Sequence, residues 1–363
     1  MVNSPFCFPL SSYKRNFLNA NPYIIDNSQN LKGVPVQMLN PSLNERLTLF
    51  KDIYSELYSE LKWKSDKRSL MLIAAMYVTN SKEFQLSRFL ELADYIKNEV
   101  GLFSQLRSAL RFTTAATLET TTVNPKESFH YLINIYQKLI ENGYSRTVYS
   151  YIAAGTLLKI EPKQLEDNAQ KTVAIYKGMR EHHPFLTNSG DYPLASILAS
   201  TDKTKEDIID NVEAHYNALR GKDFAIGNDL QFLSHILSLN EGQQPEDSAE
   251  KCLEVKTLLE KANFKSKKIY YPYIGMLSYL DHLDSEIDNL YAIYEELNND
   301  KLFKWNKDIN FMLSVLFIMN SKAIADAAIT GLNTTIEILI QAQQAAMTAS
   351  ITAATVASSN SSN

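Results

Sequence analysis

The sequence predicts an all-α chain, a solenoid of about seven helical hairpins with a period near 40 residues. Three observations predict it. Gly and Pro number only 11 each in 363 residues, too few for a fold of many short strands and turns. Apolar residues recur at helical spacing along most of the chain, as in Phe129, Leu132, Ile133, Tyr136, Leu139 and Ile140, which marks one face of a helix. Two ladders of similar residues run through it with a common step. A chain this long would ordinarily suggest two or three domains, and the ladders replace that expectation with a repeat count.

The first ladder is aromatic. Tyr54, Tyr95, Tyr136, Tyr176, Tyr216, Lys256 and Tyr294 stand 41, 41, 40, 40, 40 and 38 residues apart. Tyr makes up 20 of the 363 residues, so seven fixed positions would hold fewer than one by chance. The second ladder is of small residues: Ala74, Ala115, Ala153, Ala195, Ser234, Gly275 and Ser314, at steps of 41, 38, 42, 39, 41 and 39. Each unit therefore reads as a first helix carrying a Tyr whose ring is buried. A second, more apolar helix follows, with a small residue where a neighbour approaches closely. Neither helix can bury its apolar face alone, and stacking makes one continuous core.

In chain order, residues 1–37 hold Pro5, Pro9, Pro22 and Pro35 among many Asn and Ser and show no helical periodicity. They are expected to be irregular or disordered and dispensable. The solenoid is expected over 38–320, opening at Met38 in "MLNPSLNERLTLF". In its third unit Asn124 is expected to cap a helix that starts at Pro125, with Glu127 closing a capping box. The segment 321–363 is rich in Ala, Thr and Gln. Ile336, Leu339, Ile340, Met347 and Ile351 can line a helix, expected to cap the last hairpin before a frayed "SSNSSN" tail.

The charge balance excludes several classes of function. The net charge is −5 and the pI is near 5.8, without the basic stripe of a nucleic-acid binder. The same net acidity argues against anionic membranes. Cys7 and Cys252 make neither a disulfide framework nor a cysteine zinc site. No secretory leader and no window apolar enough to span a bilayer is present, so the expected location is cytoplasmic. Phosphate-loop, dinucleotide, serine-hydrolase and zinc-protease motifs are all absent. No cofactor, metal or catalytic residue is implied.

One region departs from the repeat. The fourth hairpin's connection, "REHHPFLTNSGDYPLA" (180–195), and the matching stretch of the fifth, "FAIGNDLQFLSHILSL" (224–239), are unusually polar. Equivalent loops of successive units are neighbours, so His182, His183, Asp191, Tyr192, Asn228, Gln231 and His235 are the candidate binding residues. An internal network is the competing expectation: Asp191 and Asn228 would then cap their helices, and His235 would donate to a neighbouring carbonyl. The stretches "HHPFLTNSGDYPLASILAS", "GNDLQFLSHILSLN" and "YYPYIGMLSYL" resemble a bacterial family found mainly in Bacillus and its relatives. It is catalogued only as a domain of unknown function, and the resemblance covers roughly residues 45–355. Gly190 stands where the family's pattern has an acidic residue, so a paired carboxylate at this loop is not implied. The expected function is binding of a protein or peptide partner, the common use of helical solenoids. The alternative is an enzyme using His and Asp of the fourth and fifth loops as acid and base.

Overall fold

The computed structural model describes residues 41–239, 243–280, 283–325, 340, 343–351 and 354. The expectations for residues 1–37 and for the frayed tail lie outside the described residues. Every described element is helical. Fourteen α-helices run in order: α1 (Pro41–Leu61), α2 (Lys67–Thr79), α3 (Leu86–Glu99), α4 (Leu110–Thr121), α5 (Pro125–Asn142), α6 (Val148–Thr156), α7 (Leu165–His182), α8 (Tyr192–Ala199), α9 (Lys205–Arg220), α10 (Asn228–Ser238), α11 (Pro245–Lys261), α12 (Tyr271–Leu277), α13 (Leu283–Asn299) and α14 (Lys307–Ala325). A further helical stretch covers 343–351.

Local chemistry accounts for the boundaries. Asp66 accepts a hydrogen bond from the Arg68 N–H at 2.9 Å and caps α2. Thr204 does the same for the Asp207 N–H of α9 at 3.1 Å. Pro125, Pro193, Pro245 and Pro272 sit in first turns, where the missing N–H has no helical partner to lose. Gly143 ends α5 at φ 124°, a conformation that favours glycine. Asn124 is the N-cap of α5 but makes no capping bond. Its amide donates to Glu127 Oε2 at 3.2 Å instead, so the expected capping box does not form there.

Helices that are neighbours in sequence pack in pairs: α1 with α2, α3 with α4, and so on to α13 with α14. The odd-numbered helices from α3 to α13 pack on one another in order, and α2, α4, α6 and α8 form a second row, as do α10, α12 and α14. The two rows bury differently. A first helix such as α5 buries one face, Phe129, Leu132, Ile135, Tyr136 and Leu139. Most second helices are buried nearly all round, as in every residue of α8 and α12 and Leu70–Thr79 of α2, whereas α6 buries only Ser150, Ala153 and Ala154. All-round burial is why the second helices carry the small-residue ladder. All seven of its members are buried. The Tyr ladder lies on the first helices, with Tyr54, Tyr136, Tyr176 and Tyr216 buried and Tyr95 and Tyr294 half-buried. At the sixth position Lys256 keeps its stem buried and brings its ammonium to Asp223.

One set of contacts joins the two ends of the helical array. The seventh hairpin packs against the first: α14 lies on both α1 and α2. The Phe303 ring sits 4.7 Å from Tyr54 and 5.4 Å from Phe50. Lys51 pairs with Glu296 at 2.8 Å. Asn320 donates to the Thr79 carbonyl at 2.7 Å while accepting from Arg46. An open array leaves its terminal units apart, whereas these contacts bring them together through aromatic packing and paired polar groups.

Candidate functional site

The polar fourth and fifth loops divide into four local arrangements. Asn188 and Asp191 form a capping box: Asn188 Oδ1 accepts from the Gly190 N–H at 2.9 Å, and Asp191 Oδ2 accepts from the Asn188 N–H at 2.8 Å. Desolvation raises the Asp191 pKa to about 6, against the lowering effect of that N–H. Tyr192 turns to the third hairpin, where its ring stacks on Tyr144 at 3.6 Å and its hydroxyl accepts from the Ser145 N–H at 3.2 Å. His183 pairs with Glu213 of α9 at 2.9 Å and rests on the Tyr216 ring, 4.3 Å between centroids. His182 lies 3.8 Å from the same carboxylate and is more exposed.

The fourth arrangement is the buried one. The Gln231 amide donates to Thr187 Oγ1 at 2.8 Å, and Thr187 in turn donates to the Met179 carbonyl at 3.2 Å. His235 follows one turn later on α10 and is wholly buried. Among the described residues neither of its ring nitrogens has a partner, and neither does Gln231 Oε1. Desolvation, with a smaller contribution from His183, pushes the His235 pKa down to about 3, so the ring is neutral. Among the described residues no carboxylate hydrogen-bonds this histidine, so its surroundings supply no acid–base pair. Asn228 is exposed and does not cap α10, since Gly227 holds that position. The structure thus gathers His183, Gln231 and His235, with Thr187, while Tyr192 and Asn228 face elsewhere.

A separate cleft lies at the second helices of the first three hairpins. It is a small, partly open cleft between α2, α4, α6 and the 343–351 helix. Its wall is a threonine stripe of α4: Thr113, Thr117 and Thr121 at four-residue spacing, with Thr114 beside them. Each hydroxyl bonds a carbonyl of its own helix, such as Thr117 to Thr113 at 3.0 Å and Thr121 to Thr117 at 2.6 Å. The cleft therefore meets mainly methyl groups. Gly155 keeps the opposite wall low, since a Cβ there would lie 3.6 Å from Thr117 Cγ2. The 343–351 helix closes one side: Gln344 donates to Thr79 Oγ1 at 2.8 Å, and Ala345 and Thr348 line the space. Gln343, Met347, Ala349 and Ile351 are buried as well. The reading of the loops missed this cleft. Its one visible signal is the run "TTAATLETTT", which places β-branched residues on successive turns of an otherwise apolar helix.

Among the described residues no helix is long and apolar enough to cross a membrane, and no group of three or more His, Cys, Asp or Glu could hold a metal ion. Comparison with known proteins adds a family and no activity. The family described as "Protein of unknown function (DUF4003)" matches residues 53–345. An uncharacterized protein of Bacillus subtilis strain 168, YeaA, is 35% identical over 326 residues, 88% of this chain and 98% of that protein. No solved structure matches the chain.

Proposed function

Because the chain belongs to the DUF4003 family, whose description names no activity, we propose its role from its own geometry. It is a helical-repeat protein that binds a helical segment of a protein or peptide partner on the face formed by its second helices. One observation carries this reading: that face already holds a helix, 343–351, against α2 beside the threonine cleft. A surface that buries an Ala-, Thr- and Gln-rich helix has the small steps and apolar walls that helix-in-groove recognition uses. On this reading the 343–351 helix covers the face, and a partner helix of similar composition competes with it. The exposed His182 and Asn228 are available to extend the contact along the loops.

The test is a truncation after Ala325 offered a synthetic peptide of residues 333–356. Expected is saturable binding by the truncated protein, seen by calorimetry, and none by the full chain. Thr117→Arg, which fills the cleft, should abolish it. A truncated protein that keeps its helical circular dichroism and cooperative melting yet does not bind the peptide would overturn the reading.

A further inference from the structure

The connections inside the hairpins share one edge of the ring of contacts. Lys268 of the sixth reaches the Ile226 carbonyl of the fifth at 3.4 Å. Lys267 bonds Asp308, at the start of α14, at 2.5 Å. Ser145 of the third donates to Tyr192, at the start of α8. Phe303 of the seventh lies on Tyr54 of α1, which also feels the charges of Asp66 in the first connection and Asp300 in the seventh. This edge displays apolar side chains that none of the described residues covers. Of the eleven large hydrophobics exposed among the described residues, eight lie in these connections. Trp63, Phe103, Phe185 and Trp305 are 89%, 102%, 99% and 83% exposed.

Lysines flank them. Lys62 and Lys64 bracket Trp63, Lys304 precedes Trp305, and the ammoniums of Lys62 and Lys304 stand 5.9 and 5.0 Å from the neighbouring indoles. The seven connections (62–66, 100–109, 143–147, 183–191, 221–227, 262–270 and 300–306) hold ten Lys and Arg against four Asp and Glu. The connections between hairpins hold four against five. On that opposite edge the first turns of α5, α7, α9, α11 and α13 each carry at least one acidic residue, while that of α3 carries none. The overall charge of −5 therefore conceals two edges of opposite character, and the argument from net acidity does not hold for the basic one.

We propose that this edge docks on an anionic lipid surface, with Trp63, Phe103, Phe185 and Trp305 entering the headgroup region and the flanking lysines meeting lipid phosphates. Tryptophan beside lysine is the side-chain pair that water–lipid interfaces favour, the ring partly in the apolar layer and the ammonium in water. Each basic residue near such a surface contributes about 1 kcal/mol, and several weak anchors act together. The side chains stand singly on separate loops with charges between them. A protein hot spot gathers them into one desolvated pocket.

Trp63 and Trp305 are the chain's two tryptophans, so its tryptophan fluorescence, excited selectively over the tyrosines, reports this edge. The test adds vesicles of phosphatidylglycerol and phosphatidylcholine in equal parts, or of phosphatidylcholine alone, to the full chain at low salt. Expected are a blue shift and co-flotation with the anionic vesicles, both reversed by high salt, and little change with the neutral ones. Lys62→Gln, Lys64→Gln, Lys301→Gln and Lys304→Gln should weaken flotation about fivefold for each lysine removed. Trp63→Ala with Trp305→Ala should weaken it further at unchanged melting temperature, while Val123→Ala on the opposite edge should not. No shift and no flotation with anionic vesicles would overturn the proposal. So would full flotation of the lysine variants, or a blue shift produced by duplex DNA or RNA and not by vesicles.

Discussion

Gly275 offers the sharpest test of how the second helices pack. A Cβ built there would lie 2.5 Å from Leu233 Cδ1 and 3.3 Å from Ile236 Cγ2 of α10. Contacts that short do not persist, so something must move. Leu233 and Ile236 are fully buried and Leu237 is nearly so, which leaves the methyl no empty space to enter. Overpacking of this kind costs about 1–3 kcal/mol. Replacing a mid-helix glycine by alanine returns about 1 kcal/mol of helix propensity. Gly275→Ala should therefore lose about 1 kcal/mol net, read from urea unfolding followed by circular dichroism. Leu233→Ala alone should cost about 2–5 kcal/mol. In that background Gly275→Ala should turn from unfavourable to favourable, because the obstructing methyl is gone. If Gly275→Ala stabilises the protein equally in both backgrounds, the close approach is not real and the small-residue ladder does not report helix packing.

Three further predictions concern other parts of the molecule. Phe303→Ala should lose about 3–5 kcal/mol, because the ring joins the seventh hairpin to Phe50 and Tyr54 of the first; a loss under about 1 kcal/mol would mean that the terminal hairpins do not depend on each other. His235 binds its proton with a pKa near 3 when folded and near 6.5 when unfolded. The unfolded state therefore takes up more protons below about pH 6.5, and stability should fall from there towards pH 3. His235→Gln should flatten that decline in melting temperature against pH, leaving the smaller part due to His215, whose pKa burial also lowers. Asp191 runs the other way: its folded pKa near 6 lies above its unfolded value, so stability falls as pH rises from about 4 to 6. Asp191→Asn should remove that loss while an amide oxygen still accepts the Asn188 N–H, and an unchanged profile would contradict the burial of the carboxylate.

Much of the architecture was legible along the chain. The two ladders mark the first and second helices of every hairpin, because a helix packed on one face and a helix packed on all faces need different residues. Tyr136 and Ala153 therefore already state what α5 and α6 bury. Even the exception is intelligible: Lys256 holds the Tyr register with its buried stem, and Asp223 takes its charge. The polar loops were legible as composition and only partly as arrangement. Gln231 and His235 are one turn apart and so must share a face of α10. Nothing in their spacing says that Tyr192 stacks on Tyr144 or that Gly227, and not Asn228, is the cap.

What the sequence determined by itself is the helical character of the chain and which positions of each helix are buried. These follow from local propensity and from a periodic apolar pattern, both readable over one or two turns. Three things were decided by the tertiary structure. The contacts from α13 and α14 back to α1 and α2 join residues more than two hundred positions apart, and no local pattern encodes that approach. The placement of 343–351 against α2 joins Gln344 to Thr79 across more than two hundred residues. The gathering of Trp63 and Trp305 on one basic edge arises because loops far apart in the chain share a side of the hairpins. In each case the deciding quantity is a distance between residues remote in sequence, which composition and periodicity do not carry.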